Sequence, residues 1–164
     1  MGLRTWPWLL LAACIVALDR VSKLLVVAQL DYGVQNSILP GFNLTLLHNT
    51  GAAFSMFADG SGWQRWLFIA IAVGVSAWIY AMLRRMPSDA RWMPLAFAFV
   101  LGGALGNCWD RATLGYVVDF VQLCWRAHCF PAFNVADSAI TVGAAMIILD
   151  MLRPSADPKA GARA

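Results

Sequence analysis

Two stretches of the chain, Trp66 to Leu83 and Trp92 to Trp109, run for 18 residues each without a charged side chain. Apolar runs of that length read as membrane-spanning helix, which needs about 20 mostly apolar residues. A third run is charge-free from Trp6 to Leu18 and resumes after Asp19, Arg20 and Lys23 as Leu24 to Val27. A fourth extends from about Phe133 to Leu152, with Asp137 near its start and Asp150 near its end. The pattern predicts four transmembrane helices, over residues 6–27, 66–83, 92–109 and 133–152, in a single membrane domain spanning residues 1–164. Residues 28–65 and 110–132 are then two long loops, and the Pro/Ala-rich residues 154–164 read as a disordered tail. Within the loops, Phe42-Asn43-Leu44-Thr45-Leu46 alternates apolar and polar, and Tyr116 to Leu123 is rich in β-branched and aromatic residues. Both read as short strands, with turns at Gly33, Pro40-Gly41 and Gly60-Ser61-Gly62. The expected fold is an all-α polytopic membrane protein of four transmembrane helices with a small β-sheet platform.

Composition agrees with that pattern and excludes others. The chain is 60% apolar and 13% charged, where a soluble domain carries about 25% charged residues. A net charge of +3 spread along the chain gives no basic patch for nucleic acid. Lys and Arg also orient the helices. Residues 1–5, 84–91 and 153–164 hold Arg4, Arg84, Arg85, Arg91, Arg153, Lys159 and Arg163, whereas the longer segments 28–65 and 110–136 hold only Arg65, Arg111 and Arg126. Both termini are expected on the cytoplasmic side of a bacterial inner membrane, with the two long loops and the sheet outside, on the periplasmic face. Near the start, Leu11-Ala12-Ala13-Cys14 has the look of a lipobox, but Ile15-Val16-Ala17-Leu18 stays apolar after the cysteine, so an uncleaved first helix is expected.

Charges inside spans point to function, because each is costly unless paired or wet. At about 1.5 Å per residue, Asp19 lies about 20 Å above the inner edge, Asn107 about 22 Å and Asp137 about 24 Å. In a core about 30 Å thick these groups share one layer below the outer surface. The strand carrying Asp119 follows Arg111 closely enough to fold back onto it. Two carboxylates in such a pocket share a proton, and that arrangement suits general acid–base hydrolysis of a peptide bond. Asp119 and Asp137 are the favoured pair, although an Asp at a helix start also serves as an N-cap.

These residues carry a resemblance. Asp19-Arg20-Val21-Ser22-Lys23, His48-Asn49-Thr50-Gly51-Ala52-Ala53-Phe54, Gly102-Gly103-Ala104-Leu105-Gly106-Asn107-Cys108-Trp109-Asp110-Arg111, Val117-Val118-Asp119-Phe120 and Phe133-Asn134-Val135-Ala136-Asp137 together resemble the lipoprotein signal peptidase, or signal peptidase II, family. The resemblance covers essentially the whole chain. It implies a membrane aspartyl endopeptidase that removes the signal peptide from diacylglyceryl-modified prolipoproteins by cutting just before the lipidated Cys. It implies Asp119 and Asp137 as catalytic residues, with Asp19, Lys23, Asn49, Gly103, Asn107, Arg111, Asn134 and Ala136 binding substrate or supporting the site. The partners it implies are the precursor and membrane lipid; no cofactor or metal is needed, and a monomer suffices.

Physical readings stand beside these assignments. Asp19 and Lys23 are spaced for a helix-face ion pair. Asn49, Asn107 and Asn134 can hold a peptide backbone, orient the dyad, or join helices. Arg111 can pair with Asp110 or bind substrate carbonyls. Gly102, Gly103 and Gly106 suit close packing as well as substrate clearance. Asp150 and Arg153 read as a structural pair. Cys14 and Cys108 read as packing residues. Cys124, His128 and Cys129 lack a fourth metal ligand, and an oxidising compartment leaves both a Cys124–Cys129 disulfide and free thiols open. The alternative of another class is a small proton-coupled transporter or channel subunit, which would spread its acids across the bilayer.

Overall fold

The computed structural model describes residues 5–51, 62–126 and 128–153. Its elements are α1 (Trp6–Gln29), β1 (Gln35–Leu39), β2 (Phe42–Asn49), α2 (Trp63–Arg85), α3 (Trp92–Thr113), β3 (Val117–Trp125), β4 (His128–Cys129) and α4 (Val135–Met151). Pro7 sits in the first turn of α1, where its missing N–H has no partner to lose. Arg84 and Arg85 close α2 at the end whose dipole favours cations. Of the four helices, α2 and α3 are long and apolar enough to cross a membrane by length and composition. The predicted turn at Gly60-Ser61, part of the first outer loop, and the tail 154–164 lie outside the described residues.

The fold is not all-α. Both expected strands form, and two further ones join them in an antiparallel sheet ordered β1-β2-β3-β4. β1 escapes pattern reading because Gln35-Asn36-Ser37 are polar and the strand has little to bury. Only its backbone pairing with β2 makes it a strand. β4 is two residues long. The fourth helix begins at Val135 rather than Phe133, since Phe133 pairs with Val121 of β3 and Asn134 caps the helix.

One irregularity in the sheet aims a side chain. Leu44 pairs with Val121 and Leu47 with Asp119, so β2 carries one extra residue across that interval. A bulge reverses which face the following residues occupy. Beyond it Asn49, not His48, shares the face of Asp119. Leu46 instead joins Val26, Val118 and Phe120 in an apolar cluster between α1 and the sheet.

Helix α3 is central, packing against α1, α2 and α4. Its glycines set the spacing. A methyl group at Gly102 would lie 2.7 Å from Ile15 Cβ, and one at Gly103 would lie 2.3 Å from the Ala136 carbonyl oxygen. Such close approach is the usual device of helices that cannot rely on hydrophobic segregation from lipid. Ala12, Ile79, Leu83, Phe97 and Leu101 fill the other end of the bundle.

Candidate active site

Where α1, α3, α4 and the sheet meet, the charged side chains of α1 turn inward. Lys23 is 1% exposed, and its ammonium lies 2.7 Å from Asp19 Oδ2 and 2.8 Å from Asp110 Oδ2. Arg20 pairs with the other oxygen of Asp110, and the Val118 N–H donates to Asp110 Oδ2 at 3.2 Å. Asp19 Oδ1 accepts the Ala136 N–H at 3.0 Å, one of the free donors at the start of α4. Two acids and two cations thus form a balanced cluster joining α1, α3, β3 and α4. The expected Asp19–Lys23 pair is present, within a larger network than its spacing suggested. Arg20 and Asp110 were not singled out as site residues from sequence. Arg20 follows Asp19 within the apolar run that starts at Trp6, and Asp110 directly follows the run Trp92 to Trp109, where sequence adjacency offers it only as a partner for Arg111.

The second layer is made of amides. Lys23 Nζ donates to Asn107 Oδ1 at 3.2 Å, and Asn107 Nδ2 donates to Asp137 Oδ1 at 2.7 Å. Fully buried Asn134 is the hub. Its Nδ2 donates to Asp119 Oδ1 at 2.7 Å and to Asn107 Oδ1 at 3.1 Å, and its backbone N–H reaches Asp137 Oδ2 at 3.2 Å. Asn134 Oδ1 accepts the Asp137 N–H at 2.9 Å, which completes a capping box. Asp137 therefore occupies the third position of the helix rather than the cap, and its structural role aims its carboxylate at the site. From β2, Asn49 Nδ2 donates to Asp119 Oδ2 at 2.9 Å, while Asn49 Oδ1 accepts the Gly51 N–H at 2.8 Å. Gly51 has φ +104°, and a methyl group there would lie 2.5 Å from the Phe68 ring.

Asp119 and Asp137 are thus bridged by one asparagine, and among the described residues neither is in an ion pair. Burial pushes the Asp119 carboxyl up to about 6. The bond from Asn49 opposes that rise, the Asp137 charge adds to it, and Asn134 and Lys23 pull it back. Asp137 is half-buried and opens onto a cavity of about 510 Å³ walled by Leu123, Phe130, Phe133, Ser138, Thr141 and Val142.

Of the remaining expected residues, Ala136 and Gly103 meet backbone to backbone, and Gly106 leaves room for the Asp19 carboxylate, so both glycines serve packing. Arg111 does not pair with Asp110, which Arg20 and Lys23 already occupy. Its guanidinium lies 4.7 Å over the Phe68 ring, within electrostatic reach of Asp137 and Asp119, and its Nε has no hydrogen-bond partner among the described residues. Cys124 and Cys129 are joined by a disulfide, which resolves the pairing left open by the sequence. Cys14 is exposed on α1 rather than packed. Ala52, Ala53 and Phe54 lie outside the described residues.

A family model described as Signal peptidase (SPase) II matches residues 11–153. The chain belongs to the signal peptidase II family. The lipoprotein signal peptidase of Pseudomonas aeruginosa strain PAO1 is 52% identical over 149 residues, covering 90% of this chain and 88% of that protein. That of Pseudomonas syringae pv. tomato is 54% identical over 155 residues, covering 93% and 88%. A solved bacterial membrane enzyme, determined by the in meso method at 2.3 Å resolution, superimposes with a TM-score of 0.79 at 30% identity, covering 93% of this chain and 92% of that one. A signal peptidase II is a hydrolase, a protease of lipoprotein processing, and works in a membrane. In this member of the family, the five sequence motifs supply the balanced ion cluster, the amide layer and the two acids described above.

Proposed function

We propose that this signal peptidase II is an aspartyl endopeptidase that removes the signal peptide of diacylglyceryl-modified prolipoproteins by cutting just before the lipidated Cys, with Asp119 and Asp137 as its dyad. The observation that carries the reading is the bridge through Asn134, which holds two carboxylates side by side through amide donors. Asp119, raised toward neutrality by burial, is the member that holds the shared proton. Asp137 takes a proton from a water held between them, and that water attacks the scissile carbonyl. The Asp119 proton first polarises the carbonyl and then, through the dyad, passes to the departing amine. Asn49, Asn107 and Asn134 keep the two acids in register, and Arg111 stands ready for a peptide carbonyl. Neither cofactor nor metal enters.

The membrane placement belongs to the same proposal. Residues 1–164 form one domain with four spans in the bacterial inner membrane, both termini cytoplasmic and the dyad near the outer face. The 24 residues of α1 and 17 of α4 extend about 36 Å and about 26 Å. The charges of α1 face inward and neutralise one another, so they are no obstacle to spanning. Leu18, Leu24 and Leu25 of α1, Ile71 and Val73 of α2, and Ile148 and Leu149 of α4 face outward where lipid would be. The acyl chains of the substrate stay in the bilayer while its peptide bond reaches the dyad, and one protomer contains the whole site.

The test is cleavage of a diacylglyceryl-modified precursor by the purified full chain, beside Asp119→Asn and Asp137→Asn. Each substitution is expected to lower kcat at least about a thousandfold. A folded Asn variant working at the wild-type rate refutes the dyad. A wild-type protein that leaves the lipidated precursor intact refutes the substrate assignment.

A further inference from the structure

The two candidate catalytic acids reach the site on opposite arms of one hairpin. Along one arm runs β3, with Asp119 five residues before Cys124; along the other, Asn134 follows Cys129 by five residues. The arms are joined where Cys124 faces Cys129 directly across the β3–β4 pair. Beyond that rung the ladder is thin. Phe130 N–H donates to Leu123 O at 2.7 Å, Pro131 has no N–H to give, and the next bonds are those of Phe133 to Val121, at 2.8 and 3.0 Å. A strand of two residues has little hold of its own. Yet this arm delivers Asn134, whose 2.7 Å bond to Asp119 joins the dyad, and Phe130 and Phe133, which wall the cavity beside Asp137.

We propose that the Cys124–Cys129 disulfide is a positioning element for the dyad, holding the returning arm in the register that sets Asn134 on Asp119 and Phe130 and Phe133 beside Asp137. This rests on the dyad reading above and goes beyond it by making the rate depend on the oxidation state of a bond that touches neither acid. Cys129 is exposed, so the bond is open to small thiols. A dithiol supplies two electrons and two protons; the S–S bond breaks, two S–H bonds form, and the dithiol closes to its own disulfide. On the inner side Asn43 Nδ2 contacts Cys124 Sγ at 3.2 Å. Asp119 itself faces Asn49 from β2, Asn134 and Asp137 from the start of α4, Lys23 from α1 and Arg111 from α3. Of these, the returning arm delivers both Asn134, whose bond favours the ionised form of Asp119, and Asp137, whose charge disfavours it more strongly. Slackening the arm, which draws Asp137 away and lets water in beside Asp119, therefore moves the alkaline limb of the pH profile downward. A disulfide that only stabilised the folded state would leave that limb where it is.

The experiment compares the full-length protein, oxidised and after dithiothreitol, with Cys124→Ser/Cys129→Ser. Reduction is expected to lower kcat about tenfold, to shift the alkaline limb of kcat/KM to lower pH, and to be reversed by reoxidation. The double variant starts at the lowered rate and ignores the dithiol. Independently of any substrate, amide hydrogen exchange at Phe120, Val121 and Phe133 accelerates at least about tenfold on reduction. Unchanged kcat, pH profile and exchange in protein whose two thiols are shown by alkylation to be free overturns the proposal. Unchanged exchange alone overturns it should the precursor assay fail, so the failure of the substrate reading remains a separate result.

Discussion

Asp19 and Asp110 on one side of the site, and Asp119 and Asp137 on the other, are four acids in one small volume treated in opposite ways. The first pair is neutralised by Lys23 and Arg20 in contacts that bury all of Lys23 and both carboxylates. Among the described residues the second pair receives only asparagine amides and backbone N–H groups, and one of its members opens onto a cavity. Balanced charge in a low-dielectric setting holds elements together but has no proton to exchange. Like charges held close with neutral partners keep a proton in play. On the proposed mechanism, the contrast separates scaffold from chemistry.

The most severe way to break this contrast is to unbalance the scaffold. Lys23→Met leaves Asp19 and Asp110 to share Arg20 alone, and removing one partner of a buried ion cluster costs about 3–5 kcal/mol. Unfolding followed in mild detergent should show a loss of that size. Asp19→Asn/Lys23→Met restores the charge balance and keeps an acceptor for the Ala136 N–H, so it should recover most of the loss. A single variant as stable as the wild type, or a double variant no better than the single, would remove Lys23 from the scaffold.

A smaller effect of unusual sign is expected at the dyad. Asp119 titrates near 6 in the folded chain against an ordinary 3.8, so between those values the folded state keeps a proton that the unfolded state has released. Stability therefore falls as pH rises through this window, and the deficit is complete above about pH 6, where it amounts to about 3 kcal/mol. Asp119→Asn has no such proton. Its stability relative to wild type should be higher by up to that amount at pH 8 than at pH 4, whatever its activity. Equal differences at the two pH values would mean that burial does not raise Asp119.

How far the sequence foretold this follows from which forces are local. Long charge-free runs announced α2 and α3, and counting rise along the helices brought Asp19, Asn107 and Asp137 to one depth, because helix geometry is the same everywhere. The sheet was half legible. Alternation marks a strand with a buried face, which β2 and β3 have, whereas β1 is a strand only because β2 offers it a partner. The bulge between Leu44 and Leu47 left no mark in the alternation, yet it decides that Asn49 rather than His48 meets Asp119. Asn134 illustrates the same limit. Its amide could be read as holding a backbone, orienting the dyad or joining helices, but its choice of Asp119 and Asn107 is made by elements 15 and 27 residues away. Of the two roles open to Arg111, pairing with Asp110 fails for a related reason, since sequence adjacency says nothing of the claim that Arg20 makes on that carboxylate from 90 residues away.

The smallest effect comes from the far end of α4, where a pair of the same chemical type tests whether burial, not pairing, makes the scaffold. Arg153 Nη1 lies 3.6 Å from Asp150 Oδ1, with side chains 58% and 37% exposed, and its guanidinium also lies 4.6 Å over the Trp92 ring. Water screens such a pair, so Asp150→Ala should change stability by no more than about 0.5 kcal/mol. Arg153→Ala removes the ring contact as well and should cost about 0.5–1 kcal/mol. The order of the two matters more than their size, because the ring contact survives in one variant and not in the other. If Asp150→Ala instead rivalled Lys23→Met, the balanced cluster at the site would owe its strength to the ion pairs themselves. The division between a sealed scaffold and an open dyad would then lose its physical basis.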